Sequence, residues 1–214
     1  SVLWGDVAWP QRGPDLWRLF SEYYAVVPDG VVNDRWMPYQ PRLARWAAGR
    51  GRSAIAMLAR VGARRDGDLL PPKPPHFDVR TPEYLAFETP QADAWELVRG
   101  IDRSFAYNAS SDPSHLLSRR ELLWSLVDAR SKGGNLLLNV GPRGIDATIP
   151  NEQRLRLQWL GEWMALNGAA IRDGRPVRTR SGRRFSEMAR HFATPDGMVV
   201  FDRRGDDVVG TMVS

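Results

Sequence analysis

Two carboxylates, a guanidinium and several aromatic rings stand where short apolar runs end. Asp6 closes the run Val2-Leu3-Trp4-Gly5, Arg35 follows Val31-Val32-Asn33-Asp34, and Glu83 follows Thr81-Pro82. Trp9, Trp36 and Phe105 occupy comparable positions. Sugars offer C–H faces that lie on aromatic rings, and hydroxyls that charged bidentate groups can hold. The set is therefore that of a carbohydrate site. Two carboxylates about 5–5.5 Å apart would act as nucleophile and acid/base in a retaining glycoside hydrolysis. The residues alone leave open a plainer reading, in which an Asp at a strand end caps a helix or faces solvent. Trp17, Trp95, Trp124, Trp159 and Trp163 are expected to pack in cores or on helices instead of lining a sugar site.

These residues need strands and helices to hold them. Val2-Leu3-Trp4 reads as a buried strand with a polar tip. Pro14-Asp15 opens a helix on which Leu16, Leu19, Phe20, Tyr23 and Tyr24 recur at helical spacing, and Pro28-Asp29-Gly30 stops it. Val31-Val32-Asn33 is the next strand. Residues 37–75 differ: prolines bracket an Ala/Arg-rich stretch with room for short helices near 41–48 and 53–64, read as an insertion with a stiff polyproline exit. Beyond it, Trp95-Glu96-Leu97-Val98 and Ser104-Phe105-Ala106-Tyr107 are short apolar segments on either side of a loop. Ser118-Arg119-Arg120-Glu121 has the pattern of a capping box, which opens a helix ending at Gly133-Gly134. Asn135 to Val140 is a nearly all-apolar strand of the kind buried in a parallel sheet, and a last helix is expected from about Asn151 to Leu166, stopped by Asn167-Gly168. Alternation of strands and helices with polar strand exits implies a (β/α) barrel, whose sites lie at the C-terminal strand ends. After Ile171 short alternating stretches (176–178, 198–201 and 207–209) imply about three strands of an antiparallel module.

Composition narrows the function classes. The 214 residues contain 43% hydrophobic residues, enough for a core, and no cysteine, which excludes disulfides, thiolate metal sites and a cysteine nucleophile. No apolar run approaches the roughly 20 residues that span a bilayer, and the first residues lack the basic flank and apolar stretch of a signal peptide. The net charge of +5 comes almost wholly from arginine and lacks an aromatic stacking ladder, so it reads as surface composition and no nucleic-acid or membrane partner is expected. His76, His115 and His191 are far apart, with no metal-ligand spacing, and no cofactor is implied.

Several segments together resemble one family. Val2-Leu3-Trp4-Gly5-Asp6-Val7-Ala8-Trp9-Pro10 and Pro28-Asp29-Gly30-Val31-Val32-Asn33-Asp34-Arg35-Trp36 are similar to the nucleophile segment and following strand of the family 29 α-L-fucosidases. Asp78 to Tyr84 resembles a segment carrying the acid/base in several members. Trp95-Glu96, Ile101 and Ser104-Phe105-Ala106-Tyr107-Asn108 follow the family pattern with Ala106 where Gly is usual, and Ser131-Lys132-Gly133-Gly134-Asn135-Leu136-Leu137-Leu138-Asn139-Val140-Gly141-Pro142 is its most specific stretch. Gly161-Glu162-Trp163 through Ile171 completes a resemblance that covers nearly all of 1–175 outside the insertion.

The resemblance implies an α/β chain: a partial (β/α)8 TIM-like barrel over 1–172, then the start of a C-terminal β-sandwich over 173–214. It implies a retaining exo-α-L-fucosidase acting on fucosylated oligosaccharides or glycoconjugates, with Asp6 as nucleophile and Glu83 as acid/base in a loop that suits partial burial. Arg35 would bind the sugar or hold the nucleophile ionised, while Trp4 and Phe105 would line the pocket; Glu88 and Glu96 remain alternative acid/base residues. Asn139 is expected to order loops. In the family, earlier strands supply a Trp and several His to the sugar. The expectation is thus a fragment, inactive alone, without its N-terminal targeting region, that self-associates or pairs with a complementing N-terminal half. The alternative is a catalytically inactive fucosidase-like remnant that binds carbohydrate or protein.

Overall fold

The computed structural model describes residues 1–6, 13–36, 74–177 and 188–213. The insertion expected at 37–75, with its two short helices, lies outside the described residues except at its end, and Trp9 lies outside them too. The chain divides into two compact units: 1–85 with 93–95, and 86–92 with 96–214. Each has its own way of positioning residues.

In the first unit, β1 (Val2–Leu3) lies parallel to β2 (Val31–Val32), with Val2 opposite Val31 and Leu3 opposite Val32. A single parallel bridge, Asn33 to Val79, joins β2 to β3 (Val79–Arg80), and β3 lies parallel to the start of β4 (Ala94–Gly100). Helix α1 (Gly13–Val26) connects β1 to β2 as expected, with Asp15 in its first turn, where a carboxylate meets the unpaired amides. Its apolar stripe buries Leu16 and Phe20 against Val32 and Trp36, with Leu3, Leu19, Tyr23 and Tyr24 around them. Strands of two residues supply few ladder bonds, so other contacts must fix their register. Asp78 is one: its carboxylate accepts from the Val32 amide at 2.7 Å and from the Tyr24 hydroxyl at 2.5 Å, tying β2, α1 and the approach to β3 together.

In the second unit the rest of β4 pairs in parallel with β5 (Asn135–Asn139), from Glu96 opposite Asn135 to Gly100 opposite Asn139. Helix α2 (Arg119–Ser131) opens with the expected capping box: the Ser118 hydroxyl accepts from the Glu121 amide while the Glu121 carboxylate accepts from the Ser118 amide. It closes at Gly133, whose φ of +83° is the left-handed geometry glycine adopts at no steric cost.

Helix α3 (Asn151–Arg172) does not stop at Asn167-Gly168 as expected. The Asn167 side chain donates back to the Trp163 carbonyl instead of terminating the helix, and one more turn buries Ala170 and Ile171. Burial outweighs the roughly 1 kcal/mol that Gly costs inside a helix.

Among the described residues four antiparallel strands follow where about three were expected: β6 (Arg175–Val177), β7 (Arg190–Thr194), β8 (Gly197–Arg204) and β9 (Asp207–Val213), in sequential order. One face of this sheet lays Phe192, Val199, Phe201 and Val208 against Leu123 and Val127 of α2 and Trp163, Ala170 and Ile171 of α3. No helix of the described residues is long and apolar enough to cross a membrane.

Candidate active site

The strand ends of the first unit are crosslinked by side chains. Because β1, β2 and β3 are parallel neighbours, Asp6, Arg35 and Glu83 all leave from the same end of their strands. On β1, Leu3 packs toward α1. Val2, Trp4 and Asp6 alternate onto the other face by the two-residue period of a strand, and all three are exposed.

Asn33 holds the backbone just before Asp6. Its carbonyl oxygen accepts from the Gly5 amide at 2.7 Å and from the Trp36 indole N–H at 2.9 Å, while its NH2 donates to the Gly5 carbonyl at 2.8 Å. Gly5 is required here by space: a Cβ at this position would lie 2.7 Å from the Trp36 ring. Trp36 itself is buried in the α1 core, so it is a wall behind the site and not a platform for sugar.

Arg35 is directed to the tip of β3. Its Nε donates to the Thr81 hydroxyl at 3.0 Å, one terminal nitrogen donates to the Thr81 carbonyl at 2.7 Å, and the other pairs with the Glu83 carboxylate. Thr81 is held in turn by the buried Asp34, which accepts from the Thr81 amide at 2.9 Å and from its hydroxyl at 2.6 Å. The Glu83 side chain is 41% exposed, more open than its loop setting suggested. Its neighbour Tyr84 adopts a φ of +60°, costly for a bulky residue, and the Leu85 amide donates to the Glu83 carbonyl at 2.7 Å across this tight turn. Glu83 therefore projects from a backbone turn that costs energy to hold.

Glu88, Glu96 and Phe105 belong to the second unit. Glu88 is exposed beside the buried Phe87. Glu96 is half-buried on β4, on the face opposite Arg99, whose guanidinium reaches Ser125 of α2 at 2.9 Å. Burial pushes the Glu96 carboxyl above the usual range. Phe105 lies in a loop whose carbonyl accepts from the Asn139 side chain at 2.6 Å, so Asn139 orders that loop as expected. Of the tryptophans assigned to packing, Trp95 and Trp163 are buried, whereas Trp17 stands half-exposed on α1.

Sequence reasoning singled out Asp6, Arg35 and Glu83 but not Asn33, Asp34 and Thr81, which hold them. The signal available was only their position: short polar residues directly at strand exits, next to the candidates.

The chain also resembles known proteins. The family model described as alpha-L-fucosidase matches residues 1–169. Rat tissue alpha-L-fucosidase (Rattus norvegicus) is 36% identical over 90 residues, 42% of this chain and 19% of that protein. A crystal structure of Thermotoga maritima alpha-fucosidase superposes with a TM-score of 0.62 and 35% identity, covering 94% of this chain and 38% of that one. The Thermotoga maritima enzyme in complex with fucose gives a TM-score of 0.59 and 32% identity, covering 99% of this chain and 48% of that one. The chain thus spans less than half the length of the proteins it matches.

Proposed function

The chain belongs to the α-L-fucosidase family, and on that footing we propose that it is the part of a retaining exo-α-L-fucosidase that carries both catalytic carboxylates. The observation that carries this reading is the common edge from which Asp6, Arg35 and Glu83 emerge in one unit. Neighbouring strands are about 4.8 Å apart, so β1 and β3 stand about 10 Å apart at the backbone, a gap that Asp and Glu side chains narrow toward the separation of a retaining pair. Membership also supports reading 1–172 as the C-terminal half of a (β/α)8 barrel with 37–75 inserted, and 173–214 as the start of an antiparallel β domain. A complementing N-terminal half would then complete the sugar pocket.

In the proposed reaction the Asp6 carboxylate attacks the anomeric carbon of a terminal α-L-fucosyl residue as Glu83 gives its proton to the departing glycosidic oxygen. The C–O bond to the aglycone breaks and an ester to Asp6 forms. Glu83, now a carboxylate, takes a proton from water, which attacks the same carbon and expels Asp6, so the configuration is retained. Arg35 holds the Glu83 carboxylate at the strand edge. Trp4 supplies an aromatic face for the sugar within the same unit as Asp6. Glu88 and Glu96 remain the alternative acids, and burial raises the Glu96 carboxyl.

Hydrolysis of an aryl α-L-fucoside by the parent protein and by this chain tests the reading. The parent is expected to be active and to release the α-anomer first, and Asp6→Ala is expected to lower kcat by about 10³-fold or more. Glu83→Ala should cost about 10²-fold on a substrate with a poor leaving group and far less on an aryl fucoside that needs no protonation. A parent protein that hydrolyses the fucoside unchanged by Asp6→Ala would overturn the assignment of the nucleophile. An inert parent would overturn the enzyme reading altogether, whereas activity confined to the parent would place catalytic competence in the complete barrel.

A further inference from the structure

We infer that Asn33 is the positioning residue for Asp6. It acts through the Gly5 backbone and the Trp36 indole without touching substrate. The inference rests on the proposed role of Asp6 as nucleophile.

A nucleophile at the end of a two-residue strand has little backbone ladder to aim it. The register of β1 on β2 ends at Leu3 and Val32, and an Asn33 amide to Leu3 carbonyl bond of 3.4 Å is the last main-chain link before the tip. Beyond that point, one side chain takes over. The Asn33 amide group bonds both the N–H and the C=O of Gly5, as a further strand residue would. Both peptide planes flanking Gly5 are thereby fixed, and the second of them leads directly into Asp6.

The orientation of the Asn33 amide is set by its partners. The Gly5 and Trp36 nitrogens can only donate and the Gly5 carbonyl can only accept, so a single arrangement of oxygen and NH2 satisfies all three. The whole group is buried, so an unmade bond would not be replaced by water. The indole completes the clamp from behind, since it occupies the volume a Gly5 side chain would need. Side chain, strand and ring thus hold the backbone that leads into Asp6.

Asparagine is the one residue of this size with an acceptor and a donor side by side. Asn33→Asp keeps the acceptor for Gly5 N–H and the indole, but sets a second oxygen against the Gly5 carbonyl. Trp36→Phe keeps a ring behind Gly5 but removes the N–H that Asn33 accepts, together with part of the buried indole. Both variants would loosen the aim of Asp6, the second less than the first.

The test uses the parent protein and a mechanism-based fluorinated fucosyl reagent that esterifies the nucleophile, with the labelled residue located by peptide mass analysis. In Asn33→Asp the rate constant for labelling and kcat are both expected to fall about 100-fold, the scale that a misplacement near 1 Å produces. KM should change less than about twofold, because Asn33 does not touch the sugar. Labelling should still run to one reagent per chain. Partial unfolding would instead lower the final stoichiometry and leave the rate constant of the folded fraction alone, so the two causes separate. If Asn33→Asp fails to fold, Trp36→Phe carries the test with an expected fall of about tenfold. Rate constants within threefold of the parent in the folded variants would overturn the inference, even with Asp6 confirmed as the labelled residue. Labelling at a different carboxylate would overturn the reading of Asp6 itself, and the inference with it.

Discussion

Around β1, β2 and β3 the strands are two residues long and their tips are joined by side chains: Asn33 to Gly5, Asp34 to Thr81, and Arg35 to Thr81 and Glu83. Around β7, β8 and β9 the strands are five, eight and seven residues long, and their inner face is a continuous apolar layer on α2 and α3. Charged groups enter this second region at a buried cluster. There Asp128 pairs with Lys132 and Arg190, and Arg190 and Arg203 both lie over the Trp124 ring. A long ladder with an apolar face needs no help to hold its register, whereas a two-residue strand ending at the Asp6 carboxylate is held by directed hydrogen bonds. One region resists unfolding through buried area, and the other fixes geometry through bonds with strict donor and acceptor roles.

The largest expected effect comes from removing the polar point in the apolar region. Asp128→Ala leaves Lys132 and Arg190 buried without their shared carboxylate and is expected to cost about 3–5 kcal/mol in urea unfolding. A loss below about 1 kcal/mol would mean that the ring contacts with Trp124 suffice for Arg190.

An intermediate effect is expected at the strand tips. Asp34→Ala strips the Thr81 amide and hydroxyl of their acceptor and should cost about 1–3 kcal/mol. Its hydrogen-exchange signature should be local, with faster exchange at the Thr81 amide and unchanged protection in β8. Equal loss of protection in both regions would show that they open together and remove the contrast drawn between them.

The smallest effect belongs to the capping box. Ser118→Ala should cost about 1 kcal/mol at neutral pH. Hydrogen bonds from the Ser118 hydroxyl and amide hold the Glu121 carboxyl below its usual range. A carboxyl lowered in the folded state contributes stability above its unfolded pKa and loses it as pH falls through the folded value. The difference between wild type and Ser118→Ala should accordingly shrink in acid. A difference independent of pH would show that the bond from the Ser118 hydroxyl to the Glu121 carboxylate contributes nothing.

Much of the architecture was legible because its signals are local. The capping box spans four consecutive residues, Gly133 must adopt a left-handed turn, and the apolar run after Gly134 suits a buried strand whatever lies around it. Helix α3 shows where locality fails: Asn167-Gly168 is a stop signal, overridden because Ala170 and Ile171 enter a core completed by β7, β8 and β9. Strand β7 went unread because Arg190-His191-Phe192-Ala193-Thr194 carries one large apolar residue, and its buried arginine pairs with Asp128, 62 positions earlier.

At the candidate site the same division holds. The chemical types of Asp6, Arg35 and Glu83, and their places after apolar runs, were set in the linear order of residues. The bonds that give them direction link positions 28, 46 and 47 apart, as in Gly5 to Asn33, Arg35 to Thr81 and Asp34 to Thr81. No periodicity encodes such pairs, because a hydrogen bond depends on which donor meets which acceptor in space. Linear order carried the candidate groups, and folding supplied the partners that hold them.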